Sequence, residues 1–306
     1  NEHQLRFSYE LGINHRYPTP QRTPAPTQQH TTKKPHPMQL ATWNVNSLTV
    51  RLPQVLDWLA ANPQITLLAL QETKLTDDKF PTQAFADAGW HTAHFGQKTY
   101  NGVALISRQP LQDVQRNIPG MDCDMARVIA ATLPATSPTQ HPLRIINAYF
   151  PNGQAPDSNK FSYKMRWLTA LQQWLQTELQ THPHLLLMGD YNITFDDADV
   201  WDPTALHETI HCTSAERAHL QALIALGLHD SLRLFPQPEK SYTWWDYRNF
   251  AFRRNLGMRI DHILSSTPLL PHITACHIDK TPRKNDRPSD HTPVVITLGT
   301  AAATPL

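Results

Sequence analysis

An apolar run of strand length that ends on a carboxylate, an amide or an imidazole recurs along this chain, and the recurrence constrains the fold more than any single residue does. Trp43-Asn44-Val45-Asn46 follows "MQLAT", Gln71-Glu72 follows "TLLAL", Tyr149-Phe150-Pro151-Asn152 follows "LRIINA" and Gly189-Asp190-Tyr191-Asn192 follows "HLLLM". Asp261-His262 and Asp290-His291 stand at the edges of "ILSS" and "TPVVIT". A sheet is a rigid frame, so strand ends on one rim can bring together side chains that the chain separates widely.

Between these runs lie segments of helical period. "RLPQVLDWLAAN" carries Leu52, Val55, Leu56 and Leu59 at that spacing. "KFSYKMRWLTALQQWLQTEL" places Met165, Leu168, Leu171, Leu175 and Leu179 on one face and predicts the longest helix, and "SAERAHLQALIALG" predicts another. "GVALISR", "ARVIAATLP" and "MRIDHILSS" read as further strands. Short strands interspersed with helices predict an α/β fold of two sheets packed face to face with helices outside. Neither G-x-G-x-x-G nor G-x-x-x-x-G-K-[ST] occurs, which sets aside dinucleotide-binding and P-loop readings.

Composition adds boundaries. No uninterrupted apolar run reaches the roughly 18 residues that suggest a membrane helix, so the expectation is a soluble protein without a membrane partner. A formal charge of +1 neither demands nor excludes nucleic acid, and only local clustering can speak. Cys123, Cys212 and Cys276 are odd in number and far apart, which argues against a disulfide framework and points to a reducing compartment. Within residues 1–37 the stretch "YPTPQRTPAPTQQHTTKKPHP" is Pro, Thr and Gln with almost nothing to bury, and the segment is expected to be disordered or a non-native extension. Residues 38–299 are expected to form one domain and 300–306 a flexible tail.

If the polar strand ends converge, the inventory is Glu72, Asp190, Asp261 and Asp290 with Asn44, Asn46, Asn192, Tyr149 and His291. Four clustered carboxylates repel one another unless a hard cation neutralises them, and oxygen donors suit Mg²⁺, with Mn²⁺ as a substitute. Such an ion commonly shares its shell with phosphate oxygens, which makes a phosphate ester the expected substrate. Taken singly, each residue also has a structural reading: Asp261 as a strand-end acid capped by amides, His291 as a satisfied core histidine, Tyr149 as core packing. Asp196 and Asp199 read as solvated loop charges.

In order and spacing, "TWNVNSL", "LLALQETKL", "NAYFPNG", "LMGDYNI", "SYTWWDYR", "GMRIDHIL" and "PSDHTPV" resemble the motifs of the exonuclease III and abasic-endonuclease family, within the endonuclease/exonuclease/phosphatase superfamily. The resemblance covers about 38–298. It implies a four-layered α/β sandwich and a divalent-metal-dependent DNA repair phosphodiesterase. Glu72 would hold the metal, with Asn46 and Asp290 beside it. Asp190 would orient or deprotonate the attacking water and Asn192 would fix its position. Asp261 would set the tautomer of His291, which would polarise the phosphate or help take a proton. Asn44, Tyr149 and Asn152 would bind phosphate, and Trp244 and Met258 would wall the nucleotide pocket. Arg248, Arg253, Arg254, Lys280, Arg283, Lys284 and Arg287 would meet DNA phosphates, with Trp244, Trp245 and Phe250 available to stack.

The chain departs from the family in "DVWDPTALHETIHCTSAE". His207 and His211 occupy a loop where abasic endonucleases carry small residues. One of them is expected to narrow the pocket, leaving a 3′-5′ exonuclease and 3′-phosphatase or 3′-phosphodiesterase as the main activity, with reduced abasic-site incision. Asn46-Ser47 stands where many relatives have Asp-Gly or Asn-Gly. The expected partner is double-stranded DNA with damaged or blocked 3′ ends, met by a monomer in the cytoplasm, at the nucleoid if the source is bacterial. The alternatives are a true abasic endonuclease, a phosphatase or nuclease acting on RNA, lipid or inositol phosphates, and a non-catalytic DNA-binding protein.

Overall fold

The structure is a computed structural model that describes residues 37–135 and 138–300. The expectations for 1–37 and 300–306 fall almost wholly outside those residues. In chain order the elements are β1 (Met38–Asn44), α1 (Leu48–Ala61), β2 (Ile65–Gln71), α2 (Thr82–Asp87), β3 (His91–Phe95), β4 (Val103–Ser107), β5 (Gln112–Arg116), β6 (Val128–Leu133), β7 (Leu143–Tyr149), α3 (Asn159–Thr181) and β8 (Leu185–Asp190). There follow α4 (Ser214–Ala225), β9 (Leu228–Asp230), β10 (Trp244–Trp245), α5 (Ala251–Arg254), β11 (Gly257–Met258), β12 (Asp261–Ser266), β13 (Ile273–Ile278) and β14 (Val294–Leu298).

One six-stranded sheet runs β13-β14-β1-β2-β4-β3, the other β5-β6-β7-β8-β12-β9, and β10 pairs with β11 alone. Within the large sheets, β1 with β2 and β7 with β8 are parallel pairs, and the rest are antiparallel. Alternation divides each strand between two cores. Leu40, Leu67, Ala69, Leu105, Ile129, Ile145, Leu186, Met188 and Ile263 form the core between the sheets. Trp43, Leu68 and Leu70 face outward against α1 and α2, through Val55, Trp58, Leu59 and Phe85. Ile146, Ala148, Leu185, Leu187 and Leu264 pack on the other side against α3 and α4, through Trp167, Leu171, Leu175 and Leu220. The result is the expected helix, sheet, sheet, helix layering.

The same alternation aims the strand ends. Asn44, Gln71, Tyr149, Asp190 and Asp261 continue the rows that face the opposite sheet, and strand directions put all of them on one rim. Beneath that rim the sheets are joined by polar contacts: Gln71 Nε2 donates to Asn147 Oδ1 at 2.7 Å, and Asn147 Nδ2 donates to the carbonyls of Leu70 and Ala104. Both amides are buried, and such groups are costly to leave unpaired, so the seam resists sliding.

Helix starts follow local chemistry. Thr213 caps α4, with Glu216 returning the bond to the Thr213 backbone, and Ser158 accepts from the Phe161 N–H at the start of α3. On α3 the buried face is Lys164, Trp167, Leu168, Leu171, Trp174 and Leu175, with Met165 and Leu179 only half-buried beside it. The stripe is therefore rotated from the sequence expectation, because two tryptophans and a buried lysine belong to it. "MRIDHILSS" divides into β11 and β12, and Asp199 is buried rather than solvated. Arg259 explains Asp199: its guanidinium spans Asp199 (Nε to Oδ1, 2.6 Å) and Asp230 (Nη2 to Oδ2, 2.7 Å), a two-sided fork that compensates the buried acids. Burial pushes both carboxyls up, and Arg259 holds them below the ordinary range.

Gly189 is the tightest point of this frame. Its φ is +150° and a Cβ would lie 1.9 Å from the Ala148 carbonyl oxygen, so any side chain forces β7 and β8 apart. Gly189→Ala is expected to lower unfolding free energy by at least about 2 kcal/mol in chemical denaturation. Gly120→Ala, with open space around its φ of +74°, is expected to cost about 1 kcal/mol.

Candidate active site

At the shared rim the backbone turns sharply as each strand ends. Asn46, Glu72, Lys74 and Asn192 all have positive φ between 43° and 56°, a region non-glycine residues visit rarely and one that clusters at functional sites. These turns bring side chains from both sheets onto one spot. Asn44 Nδ2 donates to Glu72 Oε1 at 2.9 Å and to Asp190 Oδ2 at 2.8 Å. The other oxygen of Asp190 accepts from the Asn192 backbone N–H at 2.9 Å. His291 reaches in from the loop before β14, with Nδ1 2.8 Å from Asp261 Oδ2 and Nε2 3.7 Å from Asp190 Oδ2. Glu72, Asp190 and His291 each offer a ligand atom within 4.8 Å of the others.

A second shelf adjoins Glu72. Lys74 Nζ lies 3.0 Å from Glu72 Oε2 and 2.6 Å from Asn46 Oδ1, while Asn46 Nδ2 donates to Asp290 Oδ1 at 3.1 Å. Trp244 Nε1 donates to Asp290 Oδ2 at 2.9 Å. Arg51 donates to the carbonyls of Asn46 and Pro288, and Arg283 donates to that of Ser289, so two guanidinium groups staple the loop that carries Asp290 and His291.

Charge is concentrated here. Burial opposes protonation of His291, but Asp261, Asp190 and Asp290 together outweigh it and raise its pKa to about 10. The ring is thus an imidazolium wedged between acids at neutral pH. Burial, with help from Asp261 and Glu72, pushes the Asp190 carboxyl up, against the opposing pull of His291 and Asn44. Burial and the charges of Glu72 and Asp190 hold the Tyr149 phenol well above its ordinary range, leaving it a neutral donor.

Of the residues singled out in the sequence, Asn44, Asn46, Glu72, Tyr149, Asp190, Asn192, Asp261, Asp290 and His291 meet at this rim. Asn152 joins them through Asn192 Oδ1 at 3.4 Å, and His211 through a 2.6 Å contact of Nδ1 with the Asn192 carbonyl. Trp244 pairs with Met258 across β10 and β11, beside Val200, Cys212 and Ile260. His207 is exposed and makes no hydrogen bond to the site among the described residues. Trp245 is fully buried, and Arg283 is buried among Trp245, Tyr247 and Phe252, so neither is a surface contact. Phe250 is 77% exposed next to exposed Arg248. Sequence reasoning missed Lys74, Arg51 and Lys164. Lys74 was open to discovery, since a cation two residues beyond Glu72 can face the same way once the strand has ended. A groove of about 630 Å³ lined by Tyr100, Asn101, Arg127, Tyr149, Asn152 and Tyr163 opens beside the cluster.

The model of the Endonuclease/Exonuclease/phosphatase family matches residues 41–291. The chain belongs to this family. Exodeoxyribonuclease III of Haemophilus influenzae is 35% identical over 266 residues, 84% of this chain and 98% of that one. A 3′-5′ exonuclease from Neisseria meningitidis superposes with a TM-score of 0.81 at 48% identity, covering 86% of this chain and all of the other. A Neisseria 3′ phosphatase bound to a product DNA hairpin matches with the same score and identity over 85% of this chain and 99% of that one. An AP endonuclease from Archaeoglobus fulgidus gives 0.80 and 34% over 85% of this chain and 99% of its own. The chain is therefore an exonuclease III-like phosphodiester hydrolase, in a family that depends on a divalent metal.

The imidazolium can be tested directly. With EDTA present, the His291 ring is expected to show no titration in proton NMR until pH nears 10, and Asp261→Asn moves the midpoint lower. Because the folded pKa lies above the unfolded value of about 6.5, His291 stabilises the fold fully below that pH and the contribution disappears as pH rises toward 10. Parent stability should fall across that window more steeply than that of Asp261→Asn.

Proposed function

We propose that the protein is a Mg²⁺-dependent DNA repair enzyme of 3′ ends, removing 3′-phosphates and 3′-blocking groups and trimming nucleotides from double-stranded DNA. The observation that carries the reading is the Asp261–His291–Asp190 series, whose ring stands between two buried acids, the second of them clustered with Glu72. The donor set fits a hard divalent cation: Glu72 heads it, Asn46 and Asp290 adjoin it, and the Lys74 ammonium already sits between Glu72 and Asn46 as a cation stand-in. When bound, the ion would supply positive charge to the phosphate oxygens; Mn²⁺ would substitute for it.

The chain's own residues divide the remaining work. Asp190, raised by burial and fixed by Asn44 and the Asn192 N–H, accepts the proton of the attacking water, and Asn192 orients that water. His291, protonated, donates through Nε2 to a non-bridging oxygen and stabilises charge as it develops. Its high pKa favours this role over that of a base. The Tyr149 hydroxyl and Asn152 offer further donors, while Arg248, Lys280, Lys284 and Arg287 meet the DNA backbone around the rim. Residues 38–299 act as one catalytic unit, as a monomer, in the cytoplasm where DNA is at hand. No helix among the described residues is long and apolar enough to cross a membrane.

His211 supports the preference for ends. It is buried with Nδ1 against the Asn192 carbonyl, and its chain neighbour Cys212 clusters with Met258. Its ring narrows the space an extruded sugar needs, whereas a strand end requires little unpairing. The likeness to an AP endonuclease favours internal abasic incision as the second reading.

A duplex set bearing a 3′-phosphate, a recessed 3′-hydroxyl or an internal abasic site separates the two. Both end substrates should be processed faster than the internal one, and EDTA should abolish all three activities. Internal incision as fast as end processing sinks the preference. Asp190→Asn is expected to lower turnover by about 10³-fold. His211→Gly, at a backbone φ of +73° that glycine accepts readily, is expected to raise the ratio of internal incision to end trimming about tenfold.

A further inference from the structure

The most unusual group outside the reacting cluster is a lysine with no exposure at all. Lys164, on the inner face of α3, and Glu216, in the first turn of α4, are both 0% exposed, and their Nζ and Oε1 atoms are 2.5 Å apart. The ammonium makes two further bonds, each to the backbone of a site residue: 2.7 Å to the Asn192 carbonyl and 3.1 Å to the Asn152 carbonyl. Glu216 is saturated in turn, accepting from the backbone N–H groups of His211 and Thr213 and from the Thr213 hydroxyl.

Stability alone does not account for a buried ion pair there. Replacing a buried ion pair with apolar side chains of similar volume is commonly neutral or stabilising. The pair supplies something an apolar pair cannot, namely a donor for two carbonyls on loops that have left their ladders. Asn192 has a φ of +51°, and its carbonyl takes the Lys164 ammonium and His211 Nδ1–H together. Burial drives the His211 pKa down to about 3, so that ring is neutral and can hold the donating tautomer. Gly153 keeps the path clear: at φ +88° a Cβ would come within 3.0 Å of Lys164 Cδ.

Resting on the functional reading above, we propose that Lys164 and Glu216 are a positioning pair, in which a buried ammonium locks the backbone of Asn192 and Asn152 and thereby fixes the amide that orients the attacking water. Lys164 touches no substrate. Its effect passes through the Asn192 carbonyl, so its loss should change turnover and leave substrate binding in place.

The double variant Lys164→Met/Glu216→Leu separates positioning from structure. Melting temperature, KM and kcat on a 3′-phosphate duplex with Mg²⁺ are measured for parent, both single variants and the double. The single variants should melt early, each leaving a polar group buried without its partner. The double variant, free of an unpaired buried charge but still lacking the backbone partners that Glu216 supplied, should melt above either single variant while kcat remains about 10²-fold down and KM stays within about threefold. Recovery of kcat together with melting temperature would overturn the proposal. Should the double variant fail to fold, Lys164→Gln decides: it leaves both Glu216 oxygens to accept from Thr213 and His211 but replaces the ammonium with a shorter, neutral amide. A kcat at least about tenfold lower with unchanged KM supports positioning, and a parental kcat overturns it. A parent enzyme without metal-dependent activity on any 3′ end would overturn the functional reading, and the pair's role with it, before any variant is compared.

Discussion

The pairing of Asp190 with Asp261 across β8 and β12 is the contact on which the site depends. Side chains alternate along a strand, so a slip of either strand by one residue would turn its carboxylate into the outer core and aim Gly189 or His262 at the rim instead. The register is held from both faces. On the inner face Met188 and Ile263 sit in the core between the sheets, and on the outer face Leu187 and Leu264 sit under the helices. His262, opposite Gly189, donates through Nε2–H to the Ile193 carbonyl and lies edge-on to Tyr191 and Phe195. The two acids are neighbours because hydrophobic rows on either side leave them no other place.

Bringing acids together is costly, and the molecule offsets that cost with cations that are themselves anchored. His291 stands between Asp190 and Asp261, Lys74 between Glu72 and Asn46, and Lys164 against Glu216 behind Asn192. Further back, Arg259 neutralises Asp199 and Asp230 at the base of the segment leading into β12. Each cation bonds an acid and at the same time fixes a loop or a strand end. Rigidity and charge balance are therefore the same set of contacts, which is what electrostatic preorganisation requires of a site that must not rearrange during reaction.

Much of this was legible from residues alone, for a physical reason. Strand ends and period-two alternation are local properties, and they offered Asn44, Glu72, Asp190 and Asp261 as candidates to meet on one rim, with the ordered motifs assigning their roles. The layering follows from the same rows. What was hidden depends on partners distant in sequence. Asp199 reads as a loop charge until Arg259 is seen to reach it across the fold, and nothing in the helical pattern singles out Lys164, which Glu216 and two carbonyls enclose. Edge elements such as β3, β5 and β13 were also missed, because they are short and half exposed and their sequences carry little pattern of their own.

Histidines show the limit of residue type as a guide. His207 and His211 are four apart in one loop and looked equivalent, yet only His211 is buried at the site. The difference lies in the backbone. His211 has a φ of +73°, and its carbonyl takes both the N–H and the hydroxyl of Thr194 while its own N–H goes to Glu216. That anchoring carries the ring inward onto Asn192, leaving His207 on the loop's outer side. The same α4 cap that begins a helix thus determines which imidazole is buried against Asn192, and the specificity proposed for this enzyme depends on a capping box as much as on the side chain it anchors.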